Sequence, residues 1–106
     1  MESVEFNRRT KTIYDQIFDA FDDIDPDIAE VDESADNVKI SFANGTIFVI
    51  NRQRPTSQIW VATKKSGYHF NFDAEKDSWV CDKTGADLFQ LLSSEISEQM
   101  NQPFQF

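Results

Sequence analysis

A chain of 106 residues with 40% hydrophobic content and ten Phe has the apolar material for one core, so a single domain is expected. Its formal charge of −9 and pI near 4.4 oppose a phosphate backbone, which is gripped by clustered Lys and Arg; nucleic acid is not an expected ligand. Apolar runs fall far short of the ~20 residues that span a bilayer, the single Cys81 allows no internal disulfide, and no cationic, apolar leader is visible, so the expectation is a cytoplasmic protein with no membrane role.

From Val4 to Ile24 the residues Phe6, Ile13, Ile17, Phe21 and Ile24 recur at helical steps, and Tyr14 and Phe18 widen the stripe. This predicts an amphipathic helix ended by Pro26. Alternating runs then predict about six strands of a meander, over Ile28–Ser34, Val38–Ala43, Thr46–Ile50, Gln58–Thr63, Tyr68–Phe72 and Ser78–Asp82. Asn44-Gly45 marks a hairpin. A two-residue turn there would pair Phe42 with Ile47, whereas a three-residue turn with a bulge buries Phe48 and Ile50 beside Val38, Ile40 and Phe42 and leaves Asn51 outside; the bulged form is the expectation. Thr84 and Asp87 read as a capping pair for a second helix carrying Leu88, Phe89, Leu91, Leu92, Ile96 and Met100. Pro103 breaks that helix, and Phe104 and Phe106 are expected to fold back between the helices. The fold class is α+β: a two-layer α-β sandwich, residues 1–106, with N- and C-terminal helices side by side on one face of a roughly six-stranded antiparallel sheet.

Charge is segregated along the chain. Between Thr12 and Val38 stand Asp15, Asp19, Asp22, Asp23, Asp25, Asp27, Glu30, Asp32, Glu33 and Asp36 with no Lys or Arg, so −10 of the formal charge lies there and +1 elsewhere. A run of charge is usually a solvated face. Here, however, acids repeat along a helix and crowd its C-terminus, which costs ~0.2–0.5 kcal/mol per like pair and ~0.3–1 kcal/mol per acid against the dipole, about 2 kcal/mol in sum. The strain points to a cation or a basic protein as the missing partner. Carboxylates are hard donors suited to Fe, Mn, Ca or Mg, and spread along an exposed helix they do not enclose an ion, so binding should be weak and several divalent cations should compete. The metal candidates are Asp15, Asp19, Asp22, Asp23, Asp25 and Asp27, and Glu30, Asp32 and Glu33 extend the negative field toward a partner. An EF-hand is excluded, because the Asp-x-Asp spacing at Asp23, Asp25 and Asp27 lacks the central Gly and the closing Glu.

A second motif runs from Asn51 to Trp60. Ile59 and Val61 share one face of their strand, which leaves Gln58, Trp60 and Ala62 on the other, and a Trp beside Gln on a solvent face is an interface anchor. Asn51, Arg52, Gln53, Gln58 and Trp60 are the partner-binding candidates. His69 should point outward in a structural role, and Cys81 reads as a packed thiol because no basic neighbour in sequence would lower its pKa. Without a phosphate loop, a Ser-His-Asp order or a CxxC pattern, catalysis is not expected.

These features resemble the frataxin family in its bacterial branch, over nearly the whole chain: the acidic leading helix, the Asn44-Gly45 hairpin, Asn51-Arg52-Gln53 with Pro55, Gln58 and Trp60, then Gly67-Tyr68-His69-Phe70, Trp79 and the closing helix. The resemblance implies a sandwich that binds iron, Fe2+ or Fe3+, on its acidic ridge and regulates iron-sulfur cluster assembly by docking on a cysteine desulfurase, with the iron-sulfur scaffold as a further partner. It makes Asp19, Asp22 and Asp23 the ridge ligands and Trp60, Asn51, Gln53 and Gln58 the sheet contact surface. It also implies a protein that is mainly monomeric, with iron-driven oligomers. The chain departs from the family pattern at Ser3, Asn7 and Phe18. Two other readings stand beside this one: an iron chaperone or ferroxidase-like iron donor, and a plain acidic adapter for basic proteins.

Overall fold

Alternation in the strands decides the layers. Val38, Ile40, Phe42, Phe48, Ile50, Ile59, Val61 and Phe70 all project to one side of the sheet and are buried there against Phe6, Ile13, Tyr14 and Ile17 of the first helix and Leu88, Leu92 and Ile96 of the last. The computed structural model describes Met1–Phe106, in the order α1 (Ser3–Ala20), β1 (Ala29–Glu33), β2 (Asn37–Phe42), β3 (Ile47–Gln53), β4 (Gln58–Ala62), β5 (Gly67–Asp73), β6 (Ser78–Cys81) and α2 (Leu88–Met100). Each strand pairs antiparallel with the next, giving a six-stranded meander whose other face is open to solvent. The α+β sandwich expected from the sequence is the observed architecture. Neither helix is long and apolar enough to cross a membrane.

The hairpin takes its bulged form. Phe42 N–H donates to Thr46 O at 2.9 Å around the loop Ala43-Asn44-Gly45, Gly45 adopts φ +89, and Phe48 and Ile50 turn fully inward. Asn44 completes the turn by accepting the Thr46 N–H on Oδ1 at 2.9 Å. The tail also folds back as expected: Phe104 stacks on Phe21 and Phe106 packs on Phe89, while Ser97 Oγ, at the last turns of α2, accepts the Phe104 N–H at 2.9 Å.

Local boundaries differ from the expectation in four places. Helix α1 stops at Ala20, because Phe21, Asp22 and Ile24 each donate three residues back and tighten the chain into successive turns ahead of Pro26. Asp22 and Asp23 therefore lie beyond the helix. Phe18 is 38% exposed and does not widen the buried stripe, unlike Tyr14. Asp87 is itself the N-cap of α2, accepting the Phe89 and Gln90 N–H groups, while Thr84 only closes a preceding turn to Ala86. Gly85 at φ +73 and the bridge between Val80 and Asp87 hold Thr84 outside the helix. Finally, β3 runs on through Gln53, which makes strand residues of Asn51, Arg52 and Gln53.

Candidate functional site

The extension of β3 sends its polar residues to opposite faces. Asn51 and Gln53 reach the open face, whereas Arg52 turns under α1, where its Nε donates to Thr10 Oγ1 at 2.7 Å and its guanidinium to Ala35 O at 3.1 Å. The same group lies 4.5 Å from the centre of the Tyr14 ring, and its side chain is only 12% exposed. Arg52, a partner-binding candidate on the sequence, instead ties α1 to the sheet. Tyr14 beside it donates its hydroxyl to Asp36 O at 2.7 Å, and burial drives its pKa well above the ordinary tyrosine value, with the Asp36 charge adding to the rise and Arg52 opposing it.

The acidic half is arranged differently. Asp15 pairs with Lys11 at 2.8 Å, one turn back along α1, and Asp36 pairs with Arg54 at 2.7 Å. Of the ten carboxylates from Asp15 to Asp36, removing these two leaves eight without a cation within 4.0 Å. They are Asp19, Asp22, Asp23, Asp25, Asp27, Glu30, Asp32 and Glu33. The Lys11 pair and the early end of α1 leave only Asp19 of this set inside the helix, so the repulsive strain inferred from a longer helix is smaller than the sequence reading had it. Asp25 is tied into its own turn by accepting the Asp27 N–H at 2.9 Å. Glu30 and Asp32 extend the field onto the open sheet face, and Glu33 onto the helix side of the same strand. Nowhere do three or more His, Cys, Asp or Glu side chains converge closely enough to enclose an ion. The geometry offers hard oxygen donors on an exposed surface, and any cation held there keeps most of its water.

On the open face, register builds an aromatic and amide patch. Asn51, Trp60 and His69 stand in one row across β3, β4 and β5, and Gln53, Gln58 and Asn71 in the next. His69 stacks on the Trp60 indole at 4.2 Å between centroids and 12° between planes, Trp60 Nε1 donates to Gln58 Oε1 at 2.9 Å, and Gln58 Nε2 donates to Asn71 Oδ1 at 3.2 Å. The indole is held in one orientation before any partner arrives. A pocket of about 190 Å³ opens beside it, lined by Val49, Asn51, Trp60, Gly67 and His69. His69 and Asn71 were not among the sequence candidates; their signal lay in the alternation of β5, which becomes informative only once β4 and β5 are in register. Cys81 is buried as expected. Burial pushes its thiol up, yet hydrogen bonds from Thr84 and the Lys83 backbone outweigh that and bring the pKa below the ordinary value, a turn effect that basic neighbours in sequence do not report.

Fold and site together define a frataxin-like sandwich: two helices over an antiparallel sheet, an unneutralised acidic edge and an ordered Trp on the open face. The chain belongs to the frataxin family, whose frataxin-like domain matches residues 1–102. It is 32% identical over 106 residues to the iron-sulfur cluster assembly protein CyaY of Pseudomonas fluorescens, covering 100% of this chain and 96% of that protein. Frataxin from Psychromonas ingrahamii superposes with a TM-score of 0.89 at 26% identity, over 99% of this chain and 97% of the other. Trimeric frataxin from the yeast Saccharomyces cerevisiae, complexed with ferrous iron, shares the fold at a TM-score of 0.73 and 23% identity, over 92% of this chain and 87% of that one.

Proposed function

We propose that this protein is an iron-binding regulator of iron-sulfur cluster assembly that docks on a cysteine desulfurase, in the cytoplasm of a bacterium. The observation that carries the reading is the set of eight unpaired carboxylates from Asp19 to Glu33. In this reading Asp19, Asp22 and Asp23, with Asp15, Asp25 and Asp27 around them, attract Fe2+ as cargo or effector, with other divalent cations competing. Glu30, Asp32 and Glu33 steer a basic patch of the desulfurase toward the ridge, and electrostatics of this kind acts chiefly on the rate of encounter. Trp60, backed by His69 and flanked by Asn51, Gln53 and Gln58, supplies the desolvated anchor. The name of the Pseudomonas relative supports the pathway, and the ferrous complex of the yeast protein supports iron as the metal. The working form is a monomer that also engages the iron-sulfur scaffold and associates further when iron is abundant.

The deciding experiment is a desulfurase assay with and without this protein and Fe2+, run alongside direct binding. A change in sulfur release that depends on the protein, and is modulated by Fe2+, is the expected result. Equal rates with and without the protein reject regulation. Following amide signals during an Fe2+ titration separates the iron-donor reading, which requires broadening confined to the ridge together with accelerated iron oxidation. A plain acidic adapter would bind basic proteins in general and be indifferent to Trp60.

A further inference from the structure

β1 is the first strand of the sheet and has a neighbour on one side only. The bonds Ala43 N–Ile28 O at 3.0 Å and Ser34 N–Asn37 O at 2.9 Å frame its ladder with β2. In an antiparallel pair, residues alternate between bonding the neighbour and pointing away from it. Ile28, Glu30, Asp32 and Ser34 therefore bond β2, and Ala29, Val31 and Glu33 direct their backbone groups to the open edge. The Ala29 N–H is taken by Asp25 O at 3.2 Å. The C=O of Ala29 and the N–H and C=O of Val31 and Glu33 remain as a free bonding row, the kind of edge on which another strand forms.

Side chains along this edge define what would sit there. Glu30 and Asp32 are exposed, while Val31, on the helix side, borders a cavity of about 230 Å³ whose apolar wall is Phe21, Ile24, Pro26 and Ala29 and whose rim is Glu30 and Asp32. That volume lies below the ~300–1,000 Å³ of small-molecule pockets and suits a single apolar side chain. We propose that the open edge of β1 accepts, by strand addition, an extended segment of a partner protein in which Lys or Arg alternates with an apolar residue. Its basic side chains fall beside Glu30 and Asp32, its apolar side chain enters the cavity next to Val31, and its backbone closes the free row. A second copy of this edge is a poor occupant, because it would set Glu30, Asp32 and Glu33 against their own like charges. The inference rests on the reading that the acidic half faces a basic protein and adds that the backbone, not charge alone, makes the contact.

Amide hydrogen exchange of the full chain, followed by NMR with a short peptide alternating Lys and Val, tests it. The expected result is slowing by about tenfold or more at the amides of Val31 and Glu33, the size of effect a new hydrogen bond of about 1.4 kcal/mol brings. Glu30 and Asp32, already bonded to β2, serve as internal references and change little. A peptide N-methylated at its bonding positions keeps the charge and should not bind; Glu30→Gln with Asp32→Asn should weaken the unmodified one. Equal binding by the N-methylated peptide, binding without slowed exchange at Val31 and Glu33, or no binding overturns strand addition. If desulfurase docking persists while those amides stay unprotected by the desulfurase, strand addition fails and the proposed function stands. Peptide protection without desulfurase docking supports strand addition and overturns the proposed function.

Discussion

The two ends of α1 use charge in opposite ways. At its N-terminal end, Arg9 bonds Glu5 at 3.1 Å and lies 4.0 Å over the Phe72 ring, Arg52 bonds Thr10, and Arg54 reaches both Asn7 and Asp36. Beyond Asp15 no cation meets Asp19, Asp22 or Asp23. The arginines that come near the helix are used where it must be held on the sheet, and the opposite end is left with a field that no internal group cancels. A charge census over the whole helix would average these two ends and miss the division of labour.

Substitutions can break or sharpen that contrast. The largest effect is expected at the stitched end: Arg52→Ala removes the hydrogen bond to Thr10, the bond to Ala35 O and the cation on the Tyr14 ring and should lower stability by ~2–3 kcal/mol, read from urea unfolding. Desulfurase binding should survive wherever the variant is folded; a variant of undiminished stability that loses binding would return Arg52 to the contact surface. On the open face, Trp60→Ala should weaken desulfurase binding by about 2 kcal/mol, roughly thirtyfold, in calorimetry while changing stability little. Paired substitutions Asp22→Lys and Asp23→Lys should cut affinity by about tenfold and raise stability by ~0.5 kcal/mol, since positive charge follows a helix C-terminus more favourably. If that variant binds as well as the parent, the ridge is only a solvated face. The smallest effect is confined to alkaline pH. The pKa of Tyr14 is raised in the folded protein, so its contribution is complete below the ordinary tyrosine value of 10.0 and is lost as pH rises above it, the unfolded chain ionising first. Tyr14→Phe should flatten this decline in thermal melts between pH 9 and 11, an interval that brackets the ordinary tyrosine pKa of about 10.

Much of this was legible in the chain. Asn44-Gly45 followed by Phe48 and Ile50 specified the bulged hairpin, because only that register buries the larger side chains. Periodicity through Phe21 and Ile24 places Asp22 and Asp23 on the helix; it does not register that the last turn tightens before Pro26. As neighbours in one motif, Asn51, Arg52 and Gln53 read alike. Had the strand been carried past Ile50, alternation alone would have placed Arg52 on the opposite face from both. The Asp87 cap was half seen: the right residue appeared in the wrong role, since a capping pair and a lone Asp cap share the same spacing of polar residues before an apolar run.

What the sequence by itself determined are the properties that act over a few residues: helix and strand periods, the turn at Asn44-Gly45, and the −10 block between Thr12 and Val38. Only the tertiary structure decided which charges are cancelled and which polar groups meet. Arg52 finds Thr10 across 42 positions, and Trp60 gains its His69 partner through the β4–β5 register. The physical reason is that neutralisation and stacking act over a few ångströms in space, and the distances that govern them are set by packing the helices on the sheet, not by separation along the chain.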